Sequence, residues 1–152
     1  KDLLREDEVQ FFFANFLSVV EYLHKNGIVH RDIKPFAFNI VENGYLKLND
    51  FFTAKLIGNQ KTRTSIGTPV YMSPETIKGA PYSFSADFWA LGICLYELFY
   101  ARYPFGNYEN NKYLHLLLFL SSLSEFNKKS GSSAEFIGDI FRFVFFIFLL
   151  ED

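Results

Sequence analysis

Apolar residues return at three- and four-residue steps along the first part of the chain, at Val9, Phe12, Phe13, Phe16, Leu17, Val20 and Leu23. That spacing lays them on one helical face and predicts an amphipathic helix over 5–26. Glu6, Asp7 and Glu8 fall in its first turn, where the helix dipole favours negative charge. Asn26-Gly27 closes it, because glycine takes the left-handed cap conformation without steric cost. A short strand at Ile28-Val29 follows, then a hairpin over 38–41 and 45–48 whose turn carries Asn43-Gly44. From Asp50 to Glu75 the periodicity dissolves into Gly, Thr, Ser, Lys and Asn, which reads as a long irregular loop of the functional or disordered kind. Ser85 to Tyr100 is apolar nearly all round, so a helix buried at the centre of a domain is predicted there. The segment at Arg102-Tyr103-Pro104-Phe105-Gly106 ends it. Further on, helices are expected over 113–123 and 134–150, joined by a polar Gly/Ser linker at 127–133, and no internal repeat is visible.

Composition narrows the class. The 152 residues are 49% hydrophobic with 20 Phe, which suits one packed domain and excludes a disordered chain. A formal net charge of −2 supplies no basic field for nucleic acid or an anionic membrane. Cys94 is the only cysteine, so no internal disulfide forms and a reducing, cytoplasmic setting is expected. The first eight residues are mostly charged, unlike a secretory leader, and the apolar run at 143–150 is too short for a membrane span. With Lys1 at its start and Met72 as its only methionine, the chain is expected to be a piece of a longer protein.

Four polar signatures interrupt the apolar pattern in order: His30-Arg31-Asp32-Ile33-Lys34-Pro35, Asn49-Asp50-Phe51, Gly67-Thr68-Pro69 and Ser73-Pro74-Glu75. Phosphoryl transfer asks a protein for positioning and charge neutralisation more than for covalent chemistry. Asp32 is a natural acceptor for a hydroxyl proton, and Lys34 is close enough in sequence to reach a transferred phosphoryl group. Asp50 offers the hard oxygen that magnesium takes. Singly, each has a plain reading as a loop salt bridge or a turn residue. Their joint order and spacing carry the weight.

Together the four signatures resemble the catalytic core of serine/threonine protein kinases. The resemblance implies Asp32 as catalytic base and Lys34 as the lysine of serine/threonine enzymes, in contact with the nucleotide phosphates. It implies Asp50 as the magnesium ligand of the DFG motif and Phe51 as the ring that packs on His30. ATP and Mg2+ are the cofactors so implied. The run Thr64-Ser65-Ile66-Gly67-Thr68-Pro69 resembles the activation segment of the AGC group, with Thr64 as a regulatory phosphothreonine and Arg31 as its partner. Thr68 is implied to hydrogen-bond the catalytic aspartate and lysine, and Glu75 closes an APE-type motif whose arginine partner has no match in this chain. Asp87 is implied to cap the catalytic-loop backbone, and Glu97 to receive a substrate arginine. The runs 43–48 and 92–98 look most like the cyclic-GMP-dependent branch.

Four positions depart from the family pattern. Ala37 stands where a second metal-binding asparagine is implied, and it has no ligand atom. Asn39 is the candidate substitute, roughly 7 Å further along a strand, and it replaces an apolar residue beneath the adenine ring. Phe52 replaces a glycine, and a bulky side chain there is expected to distort the loop. Phe36 stands where kinases selective for basic peptides often carry glutamate.

The expected fold is mainly α (α+β): the large C-terminal lobe of a protein kinase with a short β-hairpin, the small lobe absent. Residues 1–106 form its core and 107–152 a degenerate helical continuation. The implied function is transfer of the ATP γ-phosphate to serine or threonine of a protein or peptide with basic residues, with neither nucleic-acid binding nor a membrane span. A catalytically inactive pseudokinase or a protein-binding fragment is the alternative. His24 and His115 read as structural, Cys94 as buried and inert, and the aromatic face from Phe11 to Phe16 as core.

Overall fold

A computed structural model describes residues 3–105. The helices expected over 113–123 and 134–150, their linker, His115 and the unit at 107–152 lie outside the described residues.

Helix α1, Glu6–Lys25, forms where the apolar spacing places it. Glu8 accepts a hydrogen bond from the Arg5 backbone N–H at 2.8 Å, satisfying a donor that the first turn leaves open. Val9, Phe16, Val20 and Leu23 are its buried residues. Phe12 and Phe13 are half-buried and Leu17 is exposed, so the buried stripe is narrower than the seven apolar positions imply. Strand β1, Ile28–Val29, follows, and the chain then makes a single 3-10 turn at Pro35–Ala37. Strands β2, Phe38–Ile40, and β3, Leu46–Leu48, form an antiparallel hairpin with Phe38 opposite Leu48 and Asn39 opposite Lys47. Gly44 N–H donates to Val41 O at 2.8 Å and Val41 N–H to Tyr45 O at 2.9 Å. Gly44 alone in this loop takes a positive φ, +84°, which makes a three-residue loop with a bulge rather than a two-residue turn.

The segment from Asp50 to Glu75 has more order than its composition implies. Strand β4, Lys55–Leu56, pairs antiparallel with β1, putting Ile28 opposite Leu56 and Val29 opposite Lys55. Further on, Thr62 and Tyr82 exchange backbone hydrogen bonds of 2.9 Å each. A two-residue strand has no periodicity to read; its partner in space makes it a strand. The segment ends in a 3-10 turn at Pro69–Tyr71 and the short helix α2, Pro74–Ile77, capped by Ser73.

Helix α3, Ser85–Tyr100, spans the residues its apolar run predicts. Ala90, Leu91, Ile93 and Cys94 join Phe16, Val20, Leu23, Ile33, Phe38 and Leu48 in one core, with Tyr71 and Phe105 closing it. Phe16 and Phe38 stack with ring centroids 4.3 Å apart, fastening the hairpin to α1. The loop at 30–37 is thus held between α1, α3 and the hairpin. Among the described residues no helix is long and apolar enough to cross a membrane.

Candidate functional site

The site grows out of the loop that follows β1. Arg31 has φ +72°, in the left-handed region that residues with a Cβ avoid. What holds it there is Asp87, wholly buried in the first turn of α3. Asp87 Oδ1 accepts the Arg31 N–H at 2.7 Å and Oδ2 the His30 N–H at 2.8 Å. His24 Nε2 lies 2.8 Å from the same Oδ2, its ring between Phe84 and Phe88. Three elements therefore meet on one carboxylate.

Forced through this bend, the chain brings Asp32 and Lys34 together. Lys34 Nζ donates to Asp32 Oδ2 at 2.6 Å and to Thr68 Oγ1 at 2.7 Å, and Thr68 N–H donates to Asp32 Oδ1 at 2.7 Å. Burial pushes the Asp32 carboxyl up, but the Lys34 and Thr68 hydrogen bonds and the Lys34 charge outweigh it, leaving its pKa below the usual carboxylate value. A depressed folded pKa contributes stability that is present above the unfolded value of about 3.9 and is lost as pH falls through the folded value. Asp32→Asn is expected to lower the urea midpoint at pH 7. The gap from the parent should close as pH falls below about 4; a gap independent of pH would refute the linkage.

Asp50 sits at the far side. Its backbone carbonyl is 2.5 Å from His30 Nε2, and Phe51 packs edge-on against His30 with ring centroids 5.6 Å apart. Asp50 Oδ1 accepts the Phe52 N–H at 3.0 Å. Phe52 has no positive φ, and its ring projects into solvent at 90% exposure. The bulky ring at position 52 therefore points outward, with no left-handed backbone angle beneath it. Ala37 is buried and Asn39 exposed on β2. Among the described residues no group of three or more His, Cys, Asp or Glu side chains gathers to hold a metal. Asp50 is exposed and offers a carboxylate, the hard oxygen donor that magnesium takes, whereas Ala37 offers no ligand atom.

In the unphosphorylated chain, Arg31 and Thr64 each have other partners. Arg31 Nε donates to Thr53 O at 2.5 Å, while Thr53 Oγ1 donates to His30 O at 2.8 Å. Thr64 O accepts from Tyr82 OH at 2.6 Å, and Thr64 Oγ1 lies 3.5 Å from Thr62 Oγ1, which also accepts from Lys55 Nζ at 3.2 Å. Tyr82 and Lys55, neither visible as a site residue in the sequence, thus tie the two arms of the segment together. Glu75 accepts from Ser85 Oγ at 3.5 Å. Glu97 Oε2 accepts a 2.5 Å hydrogen bond from Tyr71 OH. Burial, with this bond, pushes the Tyr71 hydroxyl pKa far up, so it stays a donor. Cys94, fully buried, has its thiol pKa raised by burial, in line with an inert core residue.

An acid and a lysine bridged by a threonine from a distant segment, behind a second exposed acid, match the signatures in space as well as in sequence. The family profile of the protein kinase domain covers residues 1–140. The chain belongs to the protein kinase domain family. It is 44% identical over 105 residues to a cGMP-dependent protein kinase of Plasmodium berghei, covering 69% of this chain and 12% of that protein. It is 43% identical over 114 residues to cGMP-dependent protein kinase 2 of Rattus norvegicus, covering 74% of this chain and 15% of that protein. The cGMP-dependent protein kinase egl-4 of Caenorhabditis briggsae matches at 42% over 127 residues, 82% of this chain and 17% of that protein. The kinase-domain sequence described here thus spans under a fifth of the length of these curated relatives and resembles their AGC-type, cGMP-dependent group.

Proposed function

We propose that this chain is the core of the large C-terminal lobe of a serine/threonine protein kinase, with 1–106 as that core and 107–152 its helical continuation. The reaction is transfer of the ATP γ-phosphate to a serine or threonine hydroxyl of a protein, in a cytoplasmic setting. The observation that carries the reading is the Asp32, Lys34 and Thr68 cluster, in which one ammonium bridges the carboxylate and the threonine hydroxyl. Asp32 orients the incoming hydroxyl and takes its proton; its low pKa makes orientation the larger part. Lys34 screens charge on the transferring oxygens. Asp50 would hold magnesium, which would supply charge neutralisation for the ATP phosphates. Asn39 lies on the nucleotide side, His30, Phe51 and Asp87 hold the frame, and Glu75 anchors the end of the segment. Thr64, exposed, with its hydroxyl 3.5 Å from the Thr62 hydroxyl to which Lys55 Nζ donates, is the regulatory phosphorylation site. Glu97, with Tyr71, faces the peptide substrate, and arginine beside the target serine suits it.

The test is transfer of labelled phosphate from ATP to an arginine-rich serine peptide by the full-length protein that contains this chain. Transfer that disappears with Asp32→Asn supports the enzyme. Undiminished transfer in that variant would sink it. Ala37 favours a second reading, an inactive pseudokinase, since it removes a metal ligand. On that reading the parent transfers nothing, and Ala37→Asn combined with Phe52→Gly is expected to create magnesium-dependent ATP binding.

A further inference from the structure

Tyr82 stands just before α3 and is buried. It holds the 62–68 stretch at two points. Its backbone exchanges hydrogen bonds with Thr62, and its hydroxyl donates to the Thr64 carbonyl oxygen at 2.6 Å. Further along, Thr68 is fixed to Asp32 and Lys34. Arg31 lies against the same stretch, with its carbonyl oxygen facing Gly67, and it also acts on the Tyr82 hydroxyl. Burial pushes that hydroxyl's pKa up against the opposing hydrogen bond and charge of Arg31, so it stays a donor. The acceptor at position 64 is main chain. The bond therefore needs neither the threonine side chain nor a phosphate on it.

We propose that Tyr82 is a positioning residue for phosphoryl transfer: its hydroxyl seats the 62–68 stretch, and with it Thr68, on Asp32 and Lys34 before Thr64 is phosphorylated. The catalytic consequence rests on the phosphoryl-transfer reading above; the seating of the stretch does not. Thr62 fixes one end and Thr68 the other, so the Thr64 carbonyl is the support in the middle. Arg63, Thr64 and Ser65 are all exposed, so burial does little to hold them, and a segment with few contacts opens locally at low cost. One hydrogen bond then carries a large share of the order. Lys55 reaches the Thr62 hydroxyl, at the end that the backbone bridge already fixes. The Thr62 and Thr64 hydroxyls, 3.5 Å apart, add a weaker contact.

Tyr82→Phe removes the hydroxyl and keeps the ring and the backbone bridge. The full-length protein that contains this chain, treated with phosphatase, is compared with its Tyr82→Phe and Thr64→Ala variants. Limited trypsin digestion is followed at each site, every rate scaled to that of the same variant unfolded in urea. Cleavage after Lys61 and Arg63 should rise about tenfold in Tyr82→Phe, the loss of one hydrogen bond, and less than about twofold in Thr64→Ala. Cleavage after Lys25, at the end of α1, should change in neither. The kcat for labelled-phosphate transfer should fall about tenfold in Tyr82→Phe with KM for ATP unchanged, because Thr68 moves and the nucleotide side does not. Parent-like cleavage of Tyr82→Phe overturns the proposal. Equal opening in Thr64→Ala does so too, since the threonine side chain would then be the support. A matching rise after Lys25 overturns it by making the hydroxyl a support of the whole fold, and an unchanged kcat beside raised cleavage removes the positioning role. If the parent transfers nothing, the catalytic reading fails, and the cleavage ratios alone decide whether Tyr82 seats the stretch.

Discussion

Replacing Asp87 with alanine is expected to unfold most of the chain at 37 °C. Its carboxylate accepts from the His30 and Arg31 backbones and lies against His24, all in the interior. Without it, two N–H groups inside the fold lose their partners, at about 1–3 kcal/mol each, one of them the N–H of Arg31 at its positive φ. A loss of about 3–5 kcal/mol is a large share of the ~5–15 kcal/mol that stabilises an ordinary domain. Asp87→Asn keeps one acceptor oxygen and should lose roughly half as much. Urea denaturation of the parent and both variants decides it. A drop under about 1 kcal/mol for Asp87→Ala would show that the loop keeps its bend without this anchor.

Gly67→Ala is the second change with a large expected effect, and it acts on the site more than on the core. Gly67 has φ +123°, and a Cβ there would run into the Arg31 carbonyl oxygen, which is backbone and has nowhere to go. The backbone term alone is about 1–3 kcal/mol, and the clash adds to it. The chain is expected to relieve both by lifting the 62–68 segment, so that Thr68 leaves Asp32 and Lys34. Tryptic cleavage after Lys61 and Arg63 should then rise by about tenfold or more. Gly44→Ala is the control: Gly44 also has a positive φ, +84°, but a Cβ there meets nothing within 4 Å. It should cost about 1 kcal/mol and leave cleavage unchanged. Equal behaviour of the two variants would refute the close approach of Gly67 to Arg31.

These two positions differ in how far the sequence reveals them. Asp87 is visible by resemblance as a structural aspartate, yet its partnership with His24 is not, since no local pattern links residues so far apart in the chain. Gly67 reads only as part of a motif; the carbonyl it passes belongs to another loop. The site as a whole divides the same way. Asp32, Lys34, Asp50 and Thr68 were legible because each stands in a short run whose order is specific. Tyr71, Tyr82, Lys55 and Thr53 were not, because each acts through a hydrogen bond to a residue distant in sequence.

Helices α1 and α3 were determined by the sequence alone, because their apolar patterns, with the capping box of α1, act within a few residues. So was membership of the kinase domain family, which its motifs carry. The tertiary structure decided the rest. It made Lys55–Leu56 a strand by giving it Ile28–Val29 as a partner. It turned the Phe52 ring to solvent, and it set the Tyr82 hydroxyl on the Thr64 carbonyl. Each of those outcomes depends on which segments lie side by side, and side-by-side packing is a property of the folded chain, not of any window along it.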